Sequence, residues 1–166
     1  NGIVHTMPFW DQRFQEIGKS YPQVEKDQFH IDILAAHFVQ NPHWFDVVVA
    51  SNLFGDILSD LGPAVVGGMG IAAGANINPE RVYPSMFEPV HGSAPDIAGK
   101  NIANPIACFW TAQMMLDHLG EVEAAKLLME AIENIIKEGK TLTRDLGGNA
   151  STQEVTAAII DKILKK

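Results

Sequence analysis

Phe45-Asp46-Val47-Val48-Val49-Ala50-Ser51-Asn52-Leu53-Phe54-Gly55-Asp56-Ile57-Leu58-Ser59-Asp60 changes its hydrophobic period halfway along. The first six residues form a β-branched run of the kind expected from a strand buried on both faces. Such strands belong to parallel or mixed sheets covered by helices. Ser51 or Asn52 then caps a helix predicted over Leu53 to Leu61, with Gly62-Pro63 as its breaker. A buried strand running straight into a helix points to the α/β class, a mixed sheet flanked by helices.

Toward the amino terminus, Ile3 to Met7 reads as a short strand. Pro8 then introduces Phe9, Trp10, Phe14 and Ile17 at helical spacing, ending near Gly18. A second helical pattern covers Lys26 to Gln40, with Phe29, Ile33, Leu34 and His37 on one face and Asn41-Pro42 as its stop. The chain opens Asn1-Gly2-Ile3-Val4-His5 without an initiator Met, as if a strand were entered midway, and reads as a piece of a longer polypeptide.

Toward the carboxyl terminus, Gly67, Gly68, Gly70 and Gly74 lie among small apolar residues, and Arg81 to Phe87 reads as a strand. Glu88 to Asn104 has no sustained period. So long an irregular segment is functional or disordered, and its Val, Ile and Ala content argues against disorder. Asn104-Pro105 opens an amphipathic helix carrying Phe109, Ala112, Met115, Leu116 and Leu119, closed by Gly120. Another helix runs from Glu121 to about Lys137 and ends at Gly139. After the turn-rich Arg144-Asp145-Leu146-Gly147-Gly148, Ser151 and Glu154 form a capping box for a last helix through Leu164.

With 46% apolar residues in 166, the chain can bury a sizeable core. A net charge of −8, with no basic stripe beyond Lys165-Lys166, argues against nucleic-acid binding. No apolar run approaches the roughly 20 residues that span a bilayer, and no signal peptide opens the chain, so a cytoplasmic protein without a membrane partner is expected. The one cysteine, Cys108, sits in an apolar helical pattern and reads as a buried structural thiol. Asn149-Ala150-Ser151 fits a glycosylation acceptor, but its expected job is to begin a helix. His30 and His37, seven apart on one predicted helix, are expected to pack or hydrogen-bond rather than bind zinc.

Three carboxylates and one loop could carry chemistry. Asp56 and Asp60 stand four apart on one helix, which places their Cβ atoms about 5 to 6 Å apart, where like charges repel unless a cation intervenes. Mg²⁺ or Mn²⁺, hard ions that take oxygen ligands, would relieve that repulsion and act as a Lewis acid; Asp32 is the third acid considered. The helix follows the carboxyl end of the Val-rich strand, where ligands bind in open α/β sheets. The plainer reading stands beside it: Asp56 gains from the helix dipole and Asp60 faces solvent.

The loop is Glu88-Pro89-Val90-His91-Gly92-Ser93-Ala94-Pro95-Asp96-Ile97-Ala98-Gly99-Lys100. Gly92 permits close backbone approach, and the small Ser93 and Ala94 leave N–H groups open to an anion such as a pyrophosphate. Asp96 could accept from the hydroxyls of an adenosine ribose and would repel a 2′-phosphate. A structural surface loop, with His91 as a satisfied hydrogen-bonder, is the competing reading.

Asn52 to Asp60 together with Glu88 to Gly99 closely resembles the isocitrate/isopropylmalate dehydrogenase family of metal-dependent 2-hydroxy-acid dehydrogenases, and the similarity extends over essentially the whole chain. Asn1 to Trp10 looks most like the tartrate/D-malate dehydrogenase branch. The resemblance implies part of a two-lobed fold in a homodimer. Residues 1–66 would belong to the smaller, dimer-forming lobe that carries the metal acids, and residues 67–166 to the larger NAD-binding lobe, leaving apolar surface uncovered. It implies that Asp56 and Asp60, with Asp32 from the partner subunit, hold Mg²⁺ or Mn²⁺ against the substrate, and that Asp32 and Asp56 serve catalysis. Asn1 would lie beside the nicotinamide, while Glu88, His91, Gly92, Ser93, Ala94, Asp96, Ile97 and Asn104 would line the NAD site. Asp96 and Ile97 match the NAD-type pattern; basic and tyrosine residues stand there in the NADP type. The implied activity is NAD-dependent oxidation of tartrate or D-malate with decarboxylation, the alternatives being 3-isopropylmalate dehydrogenase or a non-catalytic regulatory subunit. The family's catalytic lysine and tyrosine, substrate arginines and first nucleotide-binding half are not in this sequence, so the 166 residues alone are expected to be silent.

Overall fold

The computed structural model describes residues 3–165. The chain divides into two compact units, Asn1–Leu58 and Ser59–Lys166.

The first unit is built from helices and an aromatic cluster. Ile3 to Met7 forms no strand: residues 4–6 turn and α1 (Met7–Gly18) begins at Met7, because Pro8 presets helical φ in the first turn. Beyond the helix the chain folds back, and the Lys26 ammonium donates to the carbonyls of Gly18 (3.2 Å), Tyr21 (2.9 Å) and Val24 (2.8 Å). A cation there satisfies acceptors that a helix end leaves open. This clamp also explains why α2 spans Ile31–Gln40 rather than starting at Lys26. Lys26 is held by α1, and the Phe29 ring packs back on His37 (centroids 5.4 Å) and Phe45 (6.0 Å), which a helical Phe29 could not do. His37 also meets Trp44 at 5.0 Å, so it packs, as expected, and Leu34 is the buried anchor of α2.

The Val-rich run does not pair. Phe45 is extended (φ −109°, ψ 119°), but among the described residues no strand lies beside 45–50, and Val47 is 91% exposed. Side-chain pattern selects an extended backbone; a strand also needs a ladder of hydrogen bonds.

α3 (Asn52–Val66) starts where expected, with Gly55 N–H bonding the Ser51 carbonyl at 2.7 Å. It does not stop at Gly62-Pro63. Pro63 lies inside it, and termination waits for Gly67 and Gly68, whose N–H groups both turn to the Pro63 carbonyl (3.0 and 2.6 Å). Gly68 has φ +107°, a conformation that side-chain-bearing residues avoid, so the stop falls there.

In the second unit, β1 (Ala73–Asn76) pairs antiparallel with β2 (Met86–Pro89) in the register Gly74↔Glu88, forming a two-stranded sheet against α4 (Ile106–Leu119). The strand expected over Arg81 to Phe87 thus begins at Met86. The Asn78 side chain accepts from the N–H groups of Val82 (3.0 Å) and Tyr83 (3.5 Å), and Arg81 turns through φ +55°, which spends those residues on the hairpin loop. Gly74 is required: a Cβ there would lie 2.9 Å from the Glu88 carbonyl oxygen.

α4, α5 (Val122–Glu138) and α6 (Thr152–Leu164) make the core from Ile106, Leu128, Ala131, Ile132, Ile135, Val155 and Ile159. Gly120 and Gly139 close α4 and α5 in the left-handed conformation, and the Ser151–Glu154 capping box is formed in both directions, all as the sequence reads. Cys108 is the exception: it is exposed, because Ala107 and Thr111 set the buried stripe and the next residue is rotated about 100° away. The α/β class therefore holds, with six helices and one small sheet among the described residues. No described helix is long and apolar enough to cross a membrane.

Candidate functional site

The irregular segment after β2 is fastened at both ends. Val90 N–H bonds the Ala72 carbonyl at 3.0 Å, carrying the ladder one bond past the strands. At the far end, Asn101 takes φ +55° and accepts from the first turn of α6, its carbonyl from Thr152 N–H (3.0 Å) and its Oδ1 from Gln153 N–H (3.2 Å). Thr152 Oγ1 donates to the Ala103 carbonyl at 2.5 Å. The α6 N–H groups that capping leaves over are therefore used to pin the loop.

Between these anchors the backbone lies open. Gly92 to Asp96 are exposed, and His91 and Ile97 are half-buried. A Cβ built on Gly92 meets nothing within 4 Å. Ala94 sits at φ +41°, unusual for a residue with a Cβ, and two successive turns follow, Ile97 N–H to Ala94 carbonyl (3.0 Å) and Lys100 N–H to Ile97 carbonyl (3.1 Å). His91 Nδ1 lies 3.0 Å from the Gly92 carbonyl, which can only accept. Nδ1 therefore carries the proton, and in the neutral ring Nε2 is left as an acceptor facing outward from that bond. Glu88 is exposed on β2. These features fit a dinucleotide: open N–H groups for phosphate, an exposed Asp96 carboxylate for ribose hydroxyls, and no side chain at Gly92 to hold a ligand off.

Asn104 also has a structural role, at the helix start that the sequence marked and at a partner that it did not. Its Oδ1 accepts from Ile106 N–H (2.9 Å) at the first residue of α4, and its Nδ2 donates to Asp145 Oδ2 (2.8 Å). Asp145 belongs to the turn-rich stretch and carried no signal beyond turn composition.

The three acids lie on helices, Asp32 in the first turn of α2 and Asp56 and Asp60 on α3, all exposed. Asp56 and Asp60 share one helical face, and a pair of carboxylates is the donor chemistry that Mg²⁺ or Mn²⁺ takes. Among the described residues no three His, Cys, Asp or Glu side chains gather into a metal site. Asn1 lies outside the described residues. A Ser–His contact does exist, Ser85 Oγ to His118 Nε2 at 3.1 Å; with Arg81 donating to the His118 carbonyl it fastens the hairpin loop to α4.

A sequence model of the isocitrate/isopropylmalate dehydrogenase family matches residues 1–162. Over 99% of its length the chain is 56% identical to the D-malate dehydrogenase [decarboxylating] of Escherichia coli (strain K12), covering 47% of that protein. It is 54% identical, over 99% of its length, to a probable tartrate dehydrogenase/decarboxylase of Bacillus subtilis (strain 168), covering 46% of it. Its fold is like that of isocitrate dehydrogenase from Methylococcus capsulatus, with a TM-score of 0.90 at 41% identity over 96% of this chain and 47% of that one. The chain spans about half the length of the relatives it matches.

Proposed function

Since the chain belongs to the isocitrate/isopropylmalate dehydrogenase family, we propose that it supplies the metal acids and the dinucleotide loop of an NAD-dependent, Mg²⁺- or Mn²⁺-dependent dehydrogenase acting on tartrate or D-malate, with decarboxylation. The branch is favoured by relatives named for tartrate and D-malate. The observation that carries the cofactor reading is the loop from Val90 to Asn101, tied down at both ends while its middle offers backbone to solvent. An ordered loop that buries little of itself is preorganised for something else.

In this reading Ser93, Ala94 and their neighbours receive the pyrophosphate, and Asp96 accepts from the adenosine ribose and repels a 2′-phosphate, selecting NAD over NADP. His91 presents Nε2 as an acceptor to the ligand, and Asn1 stands beside the nicotinamide. Asp56 and Asp60 hold the cation from one chain and Asp32 from the partner of a homodimer. When bound, the ion supplies Lewis-acid polarisation of the substrate hydroxyl. Asp32 and Asp56 orient the substrate by fixing that ion. The reading carries with it a cytoplasmic setting. Exposed Val47 (91%) and Leu53 (65%) would be covered in the complete two-lobed protein.

NMR titration tests this on the chain itself. NAD⁺ should shift the amides from His91 to Ile97 more than NADP⁺ does, and Mn²⁺ should broaden signals around Asp56 and Asp60 but not in a D56N/D60N variant. A loop indifferent to both dinucleotides, or broadening that survives the double substitution, would reject the reading. The 166 residues alone should not oxidise D-malate. Joined to the rest of the enzyme they should turn over D-malate or tartrate with NAD⁺ in preference to isopropylmalate.

A further inference from the structure

A helix begins with four N–H groups that find no carbonyl within it, and α6 meets its four in two different ways. Two are met locally, Ser151 N–H by Glu154 Oε2 (2.7 Å) and Glu154 N–H by Ser151 Oγ (3.2 Å). The two between them, on Thr152 and Gln153, go to a single residue distant in the chain: Asn101 accepts the first with its carbonyl (3.0 Å) and the second with Oδ1 (3.2 Å). It does so at φ +55°, a left-handed conformation that asparagine tolerates better than most residues with a Cβ. Val155, the next residue along α6, is buried in the core with Ile159 and Ile106, so the helix end that holds Asn101 is itself fixed by packing.

On its other side Asn101 continues into hydrogen-bonded backbone. Lys100 N–H bonds the Ile97 carbonyl and Ile97 N–H bonds the Ala94 carbonyl, which carries the connection back to the exposed stretch Gly92 to Asp96. Because one residue supplies both acceptors, releasing Asn101 frees two α6 donors at once, and the loop and the helix start open together. We propose that Asn101 is a positioning residue for the dinucleotide, coupling the loop that would receive the pyrophosphate to the first turn of α6, so that a ligand held at one is felt at the other. The coupling is reciprocal: a ligand that binds only the fastened loop also keeps the α6 start closed. This rests on the dinucleotide reading of the Val90–Asn101 loop.

Amide hydrogen exchange on the 166-residue chain reads the coupling. With NAD⁺ at about ten times its Kd, the Thr152 and Gln153 amides should exchange about tenfold more slowly than without it, the factor by which a ligand confined to the fastened loop suppresses its release. The Glu154 amide, bonded within α6, should slow by less than about twofold, since releasing Asn101 leaves its bond intact. Asn101→Gly keeps the left-handed backbone and the carbonyl but deletes Oδ1. In it the Gln153 amide should lose its response to NAD⁺ while Thr152 keeps its own, and NAD⁺ affinity should fall by roughly twofold to tenfold, the span of one net hydrogen bond. Asn101→Asp, which returns an acceptor to the same place, should restore the Gln153 response. NAD⁺ that shifts the His91 to Ile97 amides yet leaves Thr152 and Gln153 exchange unaltered would overturn the proposal and spare the dinucleotide reading. So would equal slowing throughout α6, an affinity untouched by Asn101→Gly, or no rescue by Asn101→Asp. A chain whose His91 to Ile97 amides ignore NAD⁺ would overturn that reading and the proposal with it.

Discussion

Gly70→Ala isolates the packing behind the candidate nucleotide segment. Gly70 lies in the short 3₁₀ turn Met69–Ile71 and does not have positive φ, so alanine meets no backbone penalty and its effect is steric. The added carbon would sit 2.5 Å from Asp145 Oδ2, 2.8 Å from Asn104 Cβ and 3.0 Å from Asn104 Nδ2, all inside van der Waals contact. Something must move. Overpacking of this kind costs about 1–3 kcal/mol, and a displaced Asn104–Asp145 hydrogen bond adds about 1 kcal/mol. For a chain of this length each kcal/mol lowers Tm by about 2–4 °C, so a drop of roughly 4–16 °C is expected. Circular dichroism melts read the stability, and the Asn104 side-chain NH₂ pair in a ¹⁵N spectrum reads the local rearrangement. Because the nearest clash is with the Asp145 carboxylate, Gly70→Ala made in an Asp145→Ala background should cost less than in the parent. A coupling of about 0.5–2 kcal/mol is expected for groups in direct contact. Additive effects within about 0.3 kcal/mol, or an unmoved Asn104 NH₂ pair, would refute the claim that these three residues form one packed unit.

Two further outcomes follow from the helix ends. Lys26→Met should leave the Gly18 carbonyl at the end of α1, and those of Tyr21 and Val24 beyond it, without their cation, speeding amide exchange across α1's last turn by roughly tenfold, as one lost charge-assisted contact of about 1.4 kcal/mol would do, while α5 and α6 exchange unchanged. The Glu154 carboxyl is held below its ordinary range by the Ser151 backbone N–H and then by the Ser151 hydroxyl, so its stabilising effect is present above the unfolded carboxyl value of 4.5 and is lost as pH falls through the lower folded value. Glu154→Gln should flatten that acid limb in urea melts between pH 5 and 3; an unchanged limb would show that the capping box does not carry it.

What the sequence made legible depended on how locally each feature is determined. Gly120, Gly139, Ser151 and Glu154 act on backbone groups within a few residues of themselves, so the ends of α4, α5 and α6 could be read from composition. Val47 to Val49 could not settle a strand, because pairing is decided by a neighbour distant in sequence. Lys26 and Phe29 look helical in isolation, yet one is captured by carbonyls at the end of α1 and in the turn beyond it, and the other by the rings of His37 and Phe45. Pro63 misled in the opposite direction: a single residue usually read as a stop was carried through, and the stop fell to the glycine that adopts φ +107°.

The same distinction runs through the candidate site. His91, Gly92, Ser93, Ala94 and Asp96 stand out because nothing in the core asks for them: they are small or polar, aperiodic, and flanked by segments whose period is clear. The residues that hold them do not stand out. Asn101 looks like a turn residue, Thr152 like part of an ordinary helix start, and Asp145 like one of several polar residues beside two glycines; each acquires its role from a partner 41 to 52 positions away. A sequence read for chemistry therefore finds the surface that would touch a ligand and misses the frame that aims it. Here the frame is the set of hydrogen bonds from α6 to Asn101 and from Asp145 to Asn104, made by residues that would not themselves meet the ligand's phosphates.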